Sequence, residues 1–161
     1  MIPELAARLV TVLAGRSLTI ATAESCTGGA VSQAITSVAG CSSVMRGAVV
    51  AYHNDVKNSV LGVSAETLES VGAVSEEVVR QMACGVSCLM ATDCAIATSG
   101  IAGPGGGTPE KPVGTVWMAI AAGDKTSAYC LRQNDQGRNK NIELAVRHAL
   151  QFLLQETENK L

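Results

Sequence analysis

The chain has 161 residues and a formal net charge of −2 at pH 7; 47% of its residues are apolar, but only 2% are aromatic. This length predicts one domain, and a balanced charge with so few aromatic rings excludes a basic, base-stacking surface for nucleic acid. No apolar run reaches the roughly 18 residues that cross a membrane, and the N-terminus lacks a signal-peptide pattern, so we expect a cytoplasmic protein without membrane partners.

The first half of the chain predicts helices that alternate with strands. Pro3 suits the first helical position, and Leu5, Leu9 and Val12 share one face of the helix that it begins. Serine is a good N-cap residue and predicts the starts of two later helices. The predicted elements are, in order, a helix over 3–14, a strand over 17–22, a helix over 28–38, a strand over 47–52, and helices opened by Ser64 and Ser75.

The second half predicts three strands and a long C-terminal helix. The strands cover 94–98, 114–121 and 126–132, and the short turn 122–125 makes the last two antiparallel. The helix begins near Arg138. Helices that alternate with strands, followed by a hairpin, predict an α/β fold. We expect a three-layer-like α/β sandwich with a mixed, partly antiparallel sheet, in a single domain over all 161 residues.

Polar residues and glycines gather at the ends of three predicted strands. They form the segments 24–29 (Glu-Ser-Cys-Thr-Gly-Gly), 52–57 (Tyr-His-Asn-Asp-Val-Lys) and 98–107 (Thr-Ser-Gly-Ile-Ala-Gly-Pro-Gly-Gly-Gly). Ligands of open α/β sheets bind outside the carboxyl ends of the strands. If the three strands are neighbours, these loops form the walls of one pocket.

The first segment carries residues suited to nucleophilic chemistry. Ser25 is predicted at the start of a helix, where backbone N–H groups and the helix dipole stabilise an oxyanion. Gly28 and Gly29 permit a substrate to approach the backbone closely. The alternative is that Ser25 or Thr27 only caps the helix, while the glycines allow tight packing. Glu24 is assigned no chemical step.

A nucleophilic serine needs a base, and the second segment offers one. Lys57, if held in a desolvated pocket, has a lowered pKa and accepts the serine proton, while Tyr52 relays that proton or holds the serine. His53 is a weaker candidate, because its side chain is expected to point away from that of Tyr52. The alternative is a solvated surface lysine and an ordinary strand tyrosine.

The third segment has the composition of a phosphate-binding loop. Consecutive N–H groups around glycines form an anion-binding concavity. No Gly-Lys-Ser/Thr follows and a strand comes next, so neither the P-loop nor the dinucleotide-binding pattern is met. A flexible loop is an equal alternative. Lys111 and Arg138 are candidate cations for a phosphate, or plain surface charges.

The cysteines predict no metal site. None of the six forms a C-x-x-C pair, and Cys84 with Cys88 fits a zinc spacing only loosely. We expect buried, reduced thiols that act as small apolar residues. Cys26, beside a predicted helix N-terminus, is an alternative nucleophile to Ser25.

Taken together, the three segments resemble the CinA C-terminal domain family, the nicotinamide-nucleotide amidohydrolases. The order and spacing of the matching motifs cover nearly the whole chain. The motifs are residues 23–29, 52–57, 61–63 (Leu-Gly-Val), 72–75 (Gly-Ala-Val-Ser), 99–107 and 110–116 (Glu-Lys-Pro-Val-Gly-Thr-Val).

The resemblance implies an amidase that acts on a linear carboxamide: it converts nicotinamide mononucleotide to nicotinic acid mononucleotide and ammonia, in pyridine nucleotide salvage. It implies Ser25 as nucleophile, Lys57 as general base and Tyr52 as the assisting residue, with no metal or organic cofactor. The substrate-binding residues predicted with it are Cys26, Thr27, Gly28, Gly29, Ser42, Asn54, Ser99, Gly100, Ile101, Ala102, Gly103, Gly106, Gly107, Thr108 and Arg138.

Two positions depart from the family pattern. The family often has a serine where Cys41 stands, and commonly a second arginine at the position of Ile142. Loss of that arginine predicts weaker binding of the mononucleotide or a preference for another amide. It also favours an alternative, a catalytically silent nucleotide-binding member of the family. A third hypothesis, a structural or regulatory subunit linked to DNA uptake or damage, rests only on the family's historical name. We also expect a homo-oligomer, a dimer or higher.

Overall fold

The computed structural model describes residues 1–160 as helices packed on a five-stranded sheet. Its elements are α1 (Ile2–Gly15), β1 (Ile20–Glu24), α2 (Ala30–Thr36), a 3-10 turn (Cys41–Ser43), β2 (Met45–Val50), α3 (Asn54–Leu61), α4 (Ala65–Val71), α5 (Glu76–Met90), β3 (Cys94–Gly100), β4 (Thr115–Ala122), β5 (Lys125–Arg132) and α6 (Arg138–Lys160). Within residues 1–160, none of the helices has the length and apolar character that crossing a bilayer requires.

The sheet is mixed, as predicted. Its strand order is β2-β1-β3-β4-β5; β1 lies parallel to β2 and β3, while β4 lies antiparallel to both β3 and β5. Glu24, the last residue of β1, pairs with Val50 of β2 and Thr98 of β3. The three parallel strands therefore end at one edge of the sheet, and the chain that follows each of them meets at this carboxyl edge.

Helices cover both faces of the sheet and make the sandwich three-layered. On one face, α1, α2 and α6 pack on large apolar strand residues such as Ile20, Ile96 and Met118. Leu9 of α1 and Leu150 of α6 are fully buried there. This face supplies the larger of the two apolar clusters, and its aliphatic composition explains how a chain with few aromatic residues forms a core.

The opposite face is built from small residues, and α5 packs directly on it. A Cβ at Gly85 in the middle of α5 would lie 1.9 Å from the backbone oxygen of Leu61, so α5 also contacts the end of α3 at backbone distance. The small sheet residues on this face are Ala21, Ala23, Ala95, Ala97, Ala119 and Ala121. Such a surface lets the helix axis approach the sheet closely.

Several predicted boundaries are corrected by the structure. The predicted 17–22 strand is instead β1 over Ile20–Glu24, so Glu24 belongs to a buried strand rather than to the polar segment that follows it. The helix predicted from residue 28 begins at Ala30. Helix α3 was not predicted, because its eight residues contain too few apolar positions for a clear period. Ser64 and Ser75 do cap α4 and α5, as predicted.

Candidate active site

The ends of β1, β2 and β3 bring the three polar segments together at the carboxyl edge. The N–H of Ser25 donates to the carbonyl of Thr98 at 2.9 Å, which extends the β1–β3 pairing by one residue. On the other side, the N–H of Ala51 donates to the carbonyl of Glu24 at 2.8 Å. Ser25 therefore starts its loop from a position fixed by backbone hydrogen bonds to both neighbouring strands.

Lys57 approaches Ser25 from α3. His53 caps this helix, its Nδ1 accepting from the N–H of Asp55 at 3.2 Å, and this places Lys57 in the first turn. The ammonium Nζ of Lys57 lies 3.1 Å from Oγ of Ser25 and 3.4 Å from the carbonyl oxygen of Tyr52. Helical side chains lean towards the helix N-terminus, so the lysine reaches back to the sheet edge from which α3 emerges.

The lysine and the serine are both withdrawn from solvent. Lys57 is 1% exposed and Ser25 is 9% exposed. Burial disfavours the charged ammonium and lowers the pKa of Lys57 from its ordinary value of 10.5. The arrangement thus places an amine that loses its proton more readily than a solvated lysine within hydrogen-bond distance of a hydroxyl.

A buried carboxylate organises the turn that follows Ser25. Glu24 is 1% exposed, and its side chain lies on the α2 face of the sheet. It accepts hydrogen bonds from N–H groups at the start of α2 that have no partner within the helix, as a carboxylate at a helix N-terminus does. Its five donors are the hydroxyls of Thr22 and Thr27, at 3.2 and 2.6 Å, and the N–H groups of Gly29, Val31 and Ser32, at 3.1, 3.0 and 2.8 Å.

This arrangement corrects the expectation that N–H groups throughout Cys26 to Gly29 face a substrate. The N–H of Gly28 donates to the carbonyl of Ser25 at 3.0 Å, and that of Gly29 donates to Glu24. Both glycines have positive φ angles, 60° and 100°, which the tight turn requires and which glycine adopts without strain. Within residues 1–160, the N–H groups of Cys26 and Thr27 donate to no other residue, so only these two remain available for an oxyanion.

Arg138 joins the second and third segments across the top of the site. Its guanidinium donates to the carbonyl of Gly103 at 2.8 Å and to the hydroxyl of Tyr52 at 2.7 Å. Tyr52 is 56% exposed. The Tyr52 hydroxyl is therefore engaged with Arg138, whereas the direct Lys57–Ser25 contact gives the proton a path that does not pass through the tyrosine.

The glycine-rich loop is anchored at both ends. Gly100 admits no side chain, because a Cβ there would lie 2.6 Å from the carbonyl oxygen of Thr115. The amide of buried Asn141 in α6 donates to the carbonyl of Ala102 at 3.0 Å. At the far end, the N–H of Thr108 donates to the carbonyl of Lys111 at 2.9 Å. Between these anchors, residues 104–110 are exposed.

The remaining predicted site residues divide into those near Ser25 and those that are not. Asn54 is exposed at the start of α3, and Ser99 is buried next to Ser25 in the extended β1–β3 register. Gly106 and Gly107 lie in the exposed part of the loop, and Ile101 exchanges backbone hydrogen bonds with residues 114 and 115.

Ser42 corrects the predicted set, because the structure places it far from Ser25. It belongs to the 3-10 turn that precedes β2, and Met45 at the start of β2 pairs with Ile20 at the start of β1. Ser42 thus lies at the amino edge of the sheet. The length of β2, about 3.3 Å per residue, separates it from the carboxyl edge where Ser25 lies.

Lys111 is also placed away from the nucleophile. Its ammonium donates to the carbonyl of Val71 at 2.8 Å, at the end of α4. Three surface grooves of about 420 to 540 Å³ lie elsewhere on the molecule; Lys111 lines one of them, and none is lined by Ser25 or Lys57. The candidate site is therefore defined by the hydrogen bonds at the sheet edge and not by any of these three grooves.

The cysteines behave differently from one another. Cys26 packs into the apolar cluster under α2, and burial, assisted by the charge of Glu24, raises the pKa of its thiol to about 12. A thiol of this kind stays protonated at neutral pH, which disfavours Cys26 as the nucleophile. Cys84 and Cys88 are exposed, contrary to the expectation of buried thiols. Across residues 1–160, no three His, Cys, Asp or Glu side chains are grouped so that they could hold a metal ion.

Comparison with known proteins decides the family. The family model for the CinA C-terminal domain matches residues 3–157. The chain belongs to the CinA C-terminal domain family. A CinA-like protein of Gloeobacter violaceus is 44% identical over 156 residues, which are 96% of this chain. That match is only 37% of the relative's own length, so the chain spans little more than a third of this curated CinA relative.

Solved CinA-family structures share the whole fold. The competence/damage inducible protein CihA of Agrobacterium tumefaciens superposes with a TM-score of 0.93 at 43% identity, over 96% of this chain and 94% of that chain. A CinA superfamily protein of Klebsiella pneumoniae gives a TM-score of 0.94 at 35% identity, over 98% of both chains. The architecture of this chain is therefore that of the CinA superfamily.

Proposed function

We propose that this chain hydrolyses the carboxamide of nicotinamide mononucleotide to nicotinic acid mononucleotide and ammonia. The observation that carries the proposal is the 3.1 Å contact between Nζ of Lys57 and Oγ of Ser25, made where both side chains are buried. A buried lysine beside a serine is one of the arrangements that activates a hydroxyl nucleophile. The likeness of the three surrounding segments to the nicotinamide-nucleotide amidohydrolases supports this choice of substrate.

The first half of the reaction forms an acyl-enzyme. Neutral Lys57 accepts the proton of Ser25 as Oγ attacks the carboxamide carbon. The oxygen of the tetrahedral intermediate is stabilised by the N–H groups of Cys26 and Thr27, the two donors of the turn that remain free. As the intermediate collapses, the C–N bond breaks and the Lys57 ammonium donates its proton to the departing nitrogen, which leaves as ammonia.

The second half releases the acid. Lys57, neutral again, accepts a proton from a water molecule whose oxygen attacks the ester carbon. The bond to Oγ breaks, Ser25 regains a proton from Lys57, and nicotinic acid mononucleotide loses its carboxyl proton to solvent and departs as the carboxylate. Arg138, which spans Tyr52 and Gly103, and the exposed glycine loop are the groups that we assign to the phosphate, because a guanidinium and loop N–H groups suit phosphate oxygens.

The test is ammonia release from nicotinamide mononucleotide by the purified chain without added metal. We expect Ser25→Ala and Lys57→Ala each to lower kcat by roughly 10²–10⁴-fold. Ser42→Ala, at the opposite edge of the sheet, should leave kcat unchanged. EDTA should also have no effect, because serine and lysine supply nucleophile and base. Undiminished ammonia release by both the Ser25→Ala and the Lys57→Ala variants would contradict the proposal.

A second candidate is a catalytically silent member that binds the nucleotide but does not hydrolyse it. It is favoured by Ile142, which stands one turn beyond Arg138 and packs against the apolar cluster instead of offering a second arginine to a phosphate. Saturable binding of the mononucleotide without ammonia, measured by calorimetry on the same sample, would select this candidate over the enzyme.

A further inference from the structure

Glu24 carries a buried charge that no basic side chain neutralises within residues 1–160. Its carboxylate is 1% exposed and forms no ion pair there. An uncompensated buried charge is strongly unfavourable unless hydrogen bonds satisfy it. The five donors described above do so: three are N–H groups from the first turns of α2, and two are threonine hydroxyls.

The hydrogen-bond directions around Glu24 can be assigned from chemistry alone. The Thr27 hydroxyl lies 2.6 Å from the carboxylate and 2.7 Å from the hydroxyl of Thr98. An ionised carboxylate only accepts, so Thr27 donates its proton to Glu24, and Thr98 donates to Thr27. The carboxylate thus ties the turn after β1 to strand β3 by a buried chain, in addition to the backbone bond between Ser25 and Thr98.

We propose that Glu24 is a positioning residue for Ser25, holding the turn in the one shape that directs Oγ at Lys57. The proposal rests on the proposed function, since it assigns Glu24 a role in the same reaction. The turn has two backbone hydrogen bonds of its own, from Gly28 N–H to the Ser25 carbonyl and from Ala30 N–H to the Thr27 carbonyl. The Glu24 carboxylate adds three more by accepting from the N–H groups at the start of the outgoing helix. The donors that Glu24 occupies are unavailable to a substrate, which leaves the oxyanion to the N–H groups of Cys26 and Thr27.

Glu24 acts through the backbone rather than through its charge on Lys57. Successive side chains of a strand point to opposite faces, so the Glu24 carboxylate contacts α2 while the Ser25 hydroxyl contacts Lys57 of α3. These two helices pack on opposite faces of the sheet. A positioning role therefore predicts a loss of rate with no displacement of the pH at which the lysine titrates.

The test substitutes Glu24→Gln, which keeps the shape but exchanges one accepting oxygen for a donating NH₂ that must face N–H or hydroxyl donors. We expect kcat for ammonia release to fall on the order of 100-fold, as for a small displacement of a reacting group, with KM little changed. The midpoint of the pH–kcat profile should stay in place. Glu69→Gln on exposed α4 is the charge-matched control, and Leu153→Ala in α6 controls for loss of stability alone.

A fluorophosphonate separates this proposal from the choice of substrate. In that reaction Oγ of Ser25 attacks phosphorus, fluoride leaves and Lys57 takes the proton, so labelling reports the activated serine without nicotinamide mononucleotide. We expect labelling of Glu24→Gln to slow as much as ammonia release does. If wild type is labelled but releases no ammonia, the proposed function fails, and the labelling comparison still decides the role of Glu24.

Thr27→Val provides the second variant, because it removes one donor to Glu24 while keeping the Thr27 N–H. Labelling of Thr27→Val should be slower than that of wild type but faster than that of Glu24→Gln. If Glu24→Gln does not fold, the comparison of Thr27→Val with wild type tests the positioning role. Equal labelling of wild type and of the folded variants, or a slowing matched by Leu153→Ala, overturns the positioning role. A wild-type chain that neither releases ammonia nor is labelled overturns both proposals.

Discussion

Lys57 is a long basic side chain held at 1% exposure, where its amine contacts only a hydroxyl and a backbone carbonyl. No carboxylate pairs with it within the described residues, so these hydrogen bonds offset only part of the loss of hydration when the amine is charged. For stability alone, an apolar residue of similar shape is the better choice at this position. The catalytic role that we propose for this lysine therefore conflicts with the stability of the fold.

The lowered pKa of Lys57 makes stability depend on pH in a predictable direction. Between the folded-state pKa and the ordinary value of 10.5, the unfolded chain holds a proton that the folded chain has released. Unfolding then takes up a proton, so stability rises with pH across this window; below it the full cost of burying the charge is present. We expect wild type to gain stability relative to Lys57→Met as pH rises towards 10.5.

Urea unfolding midpoints of wild type and Lys57→Met, measured across this range, check the prediction. The difference between the two curves removes contributions that are common to both proteins, such as that of the buried thiol Cys94, whose pKa is raised to about 12. Lys140→Met, at an exposed site on α6, should run parallel to wild type. Parallel curves for wild type and Lys57→Met would show that the burial of Lys57 has no energetic consequence.

At the residue scale, the sequence predicted the chemical groups but not what holds them. Ser25 and Lys57 were identified from their position after strands and from a family resemblance, and the structure places them in contact. The contacts of Glu24, Thr98 and Asn141 were missed. Glu24 bonds to a turn whose shape the sequence does not define, and Thr98 and Asn141 bond to groups distant in sequence. The sequence signal for Glu24 was its position directly before Ser25, after an apolar segment.

The packing of α5 decides where α3 lies, and so where Lys57 lies. The alanine-rich face of the sheet lets α5 approach closely, and Gly85 lets the end of α3 rest directly on α5. A helical glycine is ordinarily unfavourable compared with alanine by roughly 1 kcal/mol. At this position the glycine is required, because the atom that a Cβ would strike is a backbone oxygen of Leu61, which cannot rotate away.

Two glycine substitutions in helices should therefore have opposite effects. Gly85→Ala should destabilise the fold by about 1–3 kcal/mol or more through overpacking and lower kcat, because α3 must shift and carry Lys57 away from Ser25. Gly15→Ala, at the end of α1 with no atom within 4 Å of a new Cβ, should be neutral or stabilising. Urea unfolding and ammonia release on both variants measure the effects; an active, stable Gly85→Ala chain contradicts this account of α3.

At the element scale, the sequence predicts those helices and strands that have a clear apolar period or a capping residue. The caps of α4 and α5, the hairpin of β4 and β5, and the start of α6 all agree with the structure. The short helix α3 could not be found from its own residues, because its buried face is largely Lys57 and Leu61. A lysine predicts an exposed position, and only contact with the rest of the fold places it inside.

The candidate site is assembled from parts of the chain that are far apart in sequence. Its groups come from the ends of β1 and β2, from α3, from the loop after β3 and from the start of α6. Arg138 already bridges Tyr52 and Gly103. A ligand that contacts all of these regions can do so only in the folded chain. Its binding energy therefore adds to the stability of the whole domain.

This coupling predicts a ligand-dependent rise in melting temperature that also tests the phosphate contact. In the Ser25→Ala background, which prevents turnover, nicotinamide mononucleotide at about 100 times its Kd should stabilise the fold by about 2.7 kcal/mol, or roughly 5–10 °C for a domain of this size. Nicotinamide riboside, which lacks the phosphate, should give a smaller shift. Arg138→Met should reduce the difference between the two ligands, whereas Arg147→Met, further along α6, should preserve it.

The comparison of the two ligands isolates the phosphate from the structural role of Arg138. Loss of the Arg138 bonds to Tyr52 and Gly103 weakens the binding of both ligands alike, because both use the same site. Loss of a phosphate contact weakens the binding of the mononucleotide only. Because Ile142 offers no second cation, Arg138 is the one cation that we assign to the phosphate, and the loop N–H groups account for the rest of the difference. Equal shifts with the two ligands in the Arg138-intact chain would show that the phosphate is not recognised, and the substrate class would have to be widened to amides without one.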